Sequence, residues 1–260
     1  MIVTLRDKQL EVVSGSHDLF WQEVNKGIWE GSTFRIFDRF LDPRHSYIDI
    51  GAWIGPTLLY GCQLSRTVYG LEPDPIAFAE LDRNVSMNKP LTDNIHLVNA
   101  CIAPKSGEVA LGSRGAGGDS TSSLLFARKR THWTVRGWQF EDFIREYAVT
   151  DCNFIKMDIE GGEYEILPTM SEYLQEHRPT LHLSMHPLYL KLRPLGWIGR
   201  VIARARGTLR IIRSVRFYKH IYDHDGHEMA PRRLLWLCLR KIAMDIVVTD
   251  LEWGASAQGQ

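Results

Sequence analysis

Cysteine is scarce in this chain. Its four copies, Cys62, Cys101, Cys152 and Cys238, stand far apart with no Cys-x-x-Cys pair, which supports neither a disulfide framework nor a zinc site and predicts buried free thiols. Long apolar runs are missing too. No window approaches the roughly 18 apolar residues of a membrane span, and Arg6, Asp7, Lys8 and Glu11 interrupt the N-terminus before a signal-peptide core can form. These absences predict a cytoplasmic protein and leave open attachment to a membrane surface. Net charge is absent, with 31 basic residues against 31 acidic ones, but the balance is uneven along the chain. His177 to Tyr222 holds ten Lys or Arg and no acid, so the rest carries an acidic excess of about ten.

A Gly-x-Gly-x-x-Gly dinucleotide fingerprint is also lacking. In its place Tyr47-Ile-Asp-Ile-Gly-Ala-Trp-Ile-Gly55 ends an apolar run in Asp-x-Gly-x-x-x-Gly, and Val68-Tyr-Gly-Leu-Glu-Pro-Asp74 follows. This outlines a strand, a glycine turn, a helix and a parallel strand, the unit that holds a nucleoside above two strand ends. Gly51 and Gly55 let backbone approach the ligand, and Glu72, beside Pro73, is placed to accept from both ribose hydroxyls. An acid at position 49 would repel a pyrophosphate, which favours bare backbone and a helix N-terminus. Asp49 suits a ligand with a cationic end. S-adenosylmethionine (SAM) has one, in its α-amino group and sulfonium.

Residues 1–46 read as a helical lead-in with Trp21, Ile28, Trp29, Phe34, Phe37 and Phe40 at apolar positions. The αβ core runs from Tyr47 to 253, and 254–260 form a flexible tail. Helix is expected over Pro75–Met87 and Phe140–Tyr147, and strand over Ile95–Asn99 with Ala100–Ile102 continuing it toward the site. Further strands are Asn153–Met157 and Thr180–His186, with Arg216–Tyr222 and Asp245–Leu251 as a terminal antiparallel pair. The sum is an α/β fold with a seven-stranded doubly wound sheet. Gly112–Ser123 is a polar loop, either a plain connection or a lid.

Lys156-Met-Asp-Ile-Glu-Gly-Gly-Glu163, downstream of the two motifs above, completes a signature over about residues 28–187. It closely resembles the FkbM-type SAM-dependent methyltransferases. The resemblance implies a Rossmann-like class I methyltransferase fold and O-methylation of hydroxyls on sugars or secondary metabolites. Two positions depart from the family pattern. Trp53 stands where a small or polar residue is usual, and Ser184 replaces an acid often found before the strand-five histidine, here His186.

Methyl transfer requires an acceptor oxygen aligned behind the methyl group and a base for its proton. Asp158 and His186 are the catalytic candidates, each at the end of a predicted strand on the ligand side. Asp158 is also counted in the cofactor site. A helix-capping role for Asp158 and a buried structural role for His186 are the plain alternatives. Asn99 and Ala100 lie where the third strand would meet adenine. Ser122, Ser123, Glu160 and His182 are acceptor-site candidates. Asp158, Glu160, His182 and His186 carry divalent-metal chemistry without a compact ligand motif.

The basic segment 191–219 contains a helical stripe of Ile198, Val201, Ile202, Ala205, Leu209 and Ile212, with arginines away from its centre. It fits peripheral contact with an anionic membrane, while a helix packed on the sheet with a solvated basic face is equally consistent. An anionic or lipid-linked sugar fits the charge as acceptor. Nucleic acid is disfavoured, because Asp158-Ile-Glu-Gly replaces the Asn/Asp-Pro-Pro-aromatic motif of base-amino methyltransferases. A nucleic-acid methyltransferase and a non-catalytic SAM- or membrane-binding module remain the rival functions.

Overall fold

The computed structural model describes residues 1–112, 118, 132–190 and 196–254. The chain opens on an antiparallel hairpin of β1 (Ile2–Leu5) and β2 (Lys8–Glu11), followed by α1 (Asp18–Asn25) and α2 (Gly31–Phe40). The hairpin corrects the expectation of a wholly helical lead-in. Val3, Leu5 and Leu10 are buried beside exposed neighbours, a period of two confined to four-residue strands and masked by the aromatic positions that follow.

The core begins with β3 (Ser46–Ile50), α3 (Pro56–Gly61), β4 (Thr67–Leu71), α4 (Pro75–Met87) and β5 (Ile95–Val98). Every residue of β3 is buried, as a central parallel strand covered on both faces requires. Alternation sends Tyr47 and Asp49 to one face and Ile48 and Ile50 to the other. Gly70 keeps α3 close to β4, since a Cβ there would lie 2.2 Å from Leu58 Cδ1.

β6 (Ala100–Ile102) departs from expectation. It does not extend β5 in the main sheet but joins a second, three-stranded sheet in the order β6, β8 (His132–Trp138), β7 (Gly107–Gly112). The chain turns at Asn99, whose side-chain amide donates to the carbonyls of Glu72 and Pro73. A single Asn within a largely apolar run does not reveal such a change of sheet.

After α5 (Phe140–Glu146) the chain returns through β9 (Cys152–Met157), α6 (Glu163–Ile166), α7 (Ser171–His177) and β10 (Thr180–Met185). It ends with α8 (Gly196–Ser214), β11 (His220–Asp223), α9 (Pro231–Leu239) and β12 (Met244–Thr249). The main sheet has seven strands in the order β11-β12-β10-β9-β3-β4-β5. β10 through β5 are parallel, and β12 and β11 add the expected antiparallel pair. Strand order reverses between β3 and β9, which makes a ligand crevice at their carboxyl ends. Each face of the sheet carries its own core. On one side Phe37 of α2 packs edge-on to Tyr47 and Phe154 at 5.3 and 5.5 Å, so the N-terminal helices belong to the same core. On the other, Ile48, Ile155 and Leu181 meet the later helices.

Candidate active site

A cavity of about 330 Å³ opens where β3, β4, β9 and β10 end. Its cofactor side is built from the turn after β3. Gly51 has φ +91°, and a Cβ there would sit 2.0 Å from the Asp158 carbonyl oxygen, so the β3 and β9 ends touch only through glycine. Glu72 is 6% exposed, and its two oxygens accept the Trp53 and Asp74 N–H groups at 2.9 and 2.8 Å. Burial pushes its carboxyl up to about 7, with the two N–H bonds opposing. Each oxygen keeps a second lone pair, which leaves acceptor capacity for two ribose hydroxyls. This wall, completed by Pro73 and Ala100, fits the nucleoside of SAM.

Asp49 corrects the reading built on its charge. It is wholly buried, lies outside the cavity wall, and accepts from Tyr47 Oη at 2.7 Å and Thr57 Oγ1 at 2.8 Å. Lys156 Nζ stands 3.4 Å from its other oxygen and 4.0 Å from Asp158. Burial disfavours the ammonium, but Asp49 and Asp158 outweigh it and raise its pKa. The Asp49 charge is therefore neutralised internally, and it holds Thr57 of α3 and Lys156 in place. Gly55 and Asn99 also lie outside the wall. Gly55, at φ +96°, admits Leu81 of α4, whose Cδ1 would be 2.7 Å from a Cβ. Among the cofactor candidates Gly51, Glu72, Pro73, Ala100 and Asp158 reach the cavity.

The far end holds Asp158, Glu160 and His186, brought together from the ends of β9 and β10. His186 Nδ1 meets the wholly buried Glu163 at 3.3 Å, and its Nε2 lies 3.9 Å from Asp158. Glu163 is itself fixed by the Ile159 N–H at 3.0 Å. Burial alone would lower the imidazole pKa. The Glu163 hydrogen bond and the charges of Glu163, Asp158 and Glu160 overcome it and lift His186 to about 9. Ligand atoms of Asp158, Glu160 and His186 all fall within 4.8 Å of one another, a donor set able to take a divalent ion. His182 does not join them. It is 1% exposed beneath the site, edge-on to Phe37 at 6.3 Å, and burial lowers its pKa, so it is a neutral core residue. Ser122 and Ser123 lie outside the described residues.

Several wall residues escape the sequence reading, and four of them bear on chemistry. Phe20, Trp29 and Glu30 come from the N-terminal segment, and Lys156 from within β9. Glu30 is pushed up to about 7 by burial, against the pull of Lys156. Trp29 reads as one apolar position of the lead-in, while Phe20 and an isolated acid before Gly31 give no signal in the sequence. A backbone signal is present in the structure. Glu30, Trp53 and Glu160 are non-glycine residues at φ 43°, 50° and 55°, and all three line the cavity. Such conformations cost about 1–3 kcal/mol each and cluster at functional sites.

The fold resembles the solved FkbM methyltransferase of Methylobacillus flagellatus KT, with 18% identity, a TM-score of 0.49, and coverage of 80% of this chain and 44% of that one. This chain thus spans less than half the length of that relative. It also resembles an O-methyltransferase of Bacillus cereus solved with SAH (12% identity, TM-score 0.41, 84% and 80% covered). A third is TYW2 of M. jannaschii solved with AdoMet (14% identity, TM-score 0.43, 95% and 83% covered). No curated protein matches the chain significantly. The family model described as the methyltransferase FkbM domain matches residues 49–201, more than half of the chain and all of the strand ends that build the cavity. The chain belongs to the FkbM family of SAM-dependent methyltransferases.

Proposed function

We propose that the chain transfers the methyl group of SAM to a hydroxyl oxygen of a neutral, hydroxyl-rich acceptor such as a sugar. SAM supplies a methyl group that is already activated, so the residues have to orient the acceptor and hold its proton. The observation that carries the reading is His186, backed by buried Glu163 at the far end of the cavity. A base lifted to about 9 is stronger than an ordinary imidazole but mostly protonated at neutral pH, so its unprotonated fraction takes the proton of the acceptor hydroxyl. Asp158 and Glu160 balance the charge of the imidazolium once it has the proton.

The acceptor end also speaks to substrate class. Glu30, Asp158 and Glu160 line that end with Lys156 and His186, and buried Glu163 backs His186, which disfavours the anionic acceptor suggested by overall charge patterning. Phe20 lies edge-on to Trp53 at 4.6 Å and to Trp29 at 5.1 Å, and such rings offer flat apolar faces to the C–H face of a sugar. Incubation with methyl-labelled SAM and neutral glycans, followed by hydrolysis and mass spectrometry, should yield a methyl ether. Label recovered in RNA, or on amines alone, would overturn the proposal.

A further inference from the structure

Helix α8 is inverted relative to an ordinary packed helix. Its inward residues are Gly199, Arg204, Gly207, Thr208, Ile211 and Ser214, of which Ile211 alone is large and apolar. Four of its large apolar side chains turn outward, Trp197 at 69% exposed, Ile198 50%, Val201 38% and Leu209 37%, while Ile202 and Ile212 are half-buried. At 100° per residue Ile198, Val201 and Leu209 share one stripe, with exposed Arg206, Arg210 and Arg213 along its flank. Packed on α8, α9 exposes Trp236 at 51%, with the Arg240 guanidinium over its ring at 4.6 Å. Neither helix contains an acid. Burial of apolar residues would have put the whole stripe inside; the structure puts glycine, threonine, serine and Arg204 there beside Ile211.

We propose that α8 is a membrane-docking face that lies in the headgroup region of an anionic lipid surface. Outward apolar residues enter the acyl boundary while the flanking arginines meet lipid phosphates. The charge selects this occupant, since two acid-free, arginine-bearing helices around exposed tryptophan repel a second copy of themselves. No helix among the described residues is long and apolar enough to cross a membrane, so α8 rests on the surface. The helix also packs close to the residues behind the active site. A Cβ on Gly207 would lie 2.9 Å from both Tyr164 and Leu190, and Tyr164 follows the Glu163 that holds His186. Docking through α8 would bring the protein to a surface where an acceptor carried on a lipid is available.

Vesicle flotation of the full chain tests this without any need for turnover. Phosphatidylcholine vesicles with about 30% phosphatidylserine are expected to carry the protein upward, and pure phosphatidylcholine at least about tenfold less. Each basic side chain near such a surface is worth roughly a fivefold gain in partitioning, so Arg206→Glu with Arg210→Glu should reduce binding by more than about tenfold. Trp197→Ala with Ile198→Ser should weaken it while thermal melting and S-adenosylhomocysteine binding stay unchanged. Absence of binding to anionic vesicles, or binding indifferent to both double variants, would overturn the proposal. So would a dimer in sedimentation that Trp197→Ala dissociates, or tighter retention of single-stranded RNA than of vesicles.

Discussion

Titrating the ligand-free protein from about pH 6 to about pH 8 is expected to charge Glu72 and tighten S-adenosylhomocysteine binding about tenfold. The magnitude follows from the geometry. With the carboxyl pushed up to about 7, roughly a tenth is ionised at the lower pH and nine tenths at the upper. Ribose hydroxyls donate to the ionised form, so affinity tracks that fraction. Stability moves the opposite way. The folded value lies above the ordinary 4.5, so the folded chain binds the extra proton and loses stability as pH rises from about 4.5 to 7. The total is about 3 kcal/mol at 1.36 kcal/mol per unit, and Glu30 adds in the same direction. Calorimetric titration at several pH values reads the affinity, and buffers of different ionisation heat read the released proton. Glu72→Gln cannot ionise and should bind weakly with no slope. His186 titrates near 9, outside the window. An affinity constant within twofold across the range, or a full slope retained by Glu72→Gln, would refute the reasoning.

Lys156→Met strands buried Asp49 and is expected to cost about 3–5 kcal/mol in urea unfolding, with most of it restored by adding Asp49→Asn; a double variant no better than the single removes the ion-pair argument. Gly51→Ala meets the Asp158 carbonyl and a left-handed backbone together, so it should lose more than about 2 kcal/mol, and a melt within about 2 °C of the parent would contradict this. His186→Gln should lower kcat by about 10²–10⁴ while S-adenosylhomocysteine affinity stays within a few-fold. In the parent enzyme kcat should climb about tenfold per pH unit toward about 9, and a plateau already near 7 would move the proton to Glu30.

The main sheet was legible because its strands are apolar runs ended by glycine, proline or acid, and parallel strands buried on both faces need such runs. The strand-end residues Glu72, Asp158 and His186 were legible for the same reason, since a strand's last residue fixes which end of the sheet it faces. What failed depended on a neighbour out of sight. Asp49 has the right position in the chain but sits one layer below the cavity, because Lys156, remote in sequence, supplies its counter-charge. His182 follows the alternation toward His186, yet Phe37 from α2 closes over that face. Helix α8 shows the same limit. Its periodicity gave the stripe correctly, but not which side of the stripe meets the protein.

Trp53, the departure from the family pattern inside the first motif, joins the two halves of the site. Its backbone N–H donates to Glu72, a task any residue could perform. Its side chain does more: Nε1 donates to the Gly118 carbonyl at 2.9 Å, and the ring lies edge-on to Phe20 at 4.6 Å and His17 at 5.1 Å. His17 is in turn 3.0 Å from Glu80 on α4. A small residue would leave the N-terminal segment, which brings Phe20, Trp29 and Glu30 to the cavity, without this anchor on the cofactor turn. The left-handed backbone at φ 50° costs about 1–3 kcal/mol for a bulky residue, and the ring contacts and the indole hydrogen bond offset it. The N-terminal side of the cavity and the turn after β3 are therefore joined through Trp53, one of the two side chains that depart from the family pattern.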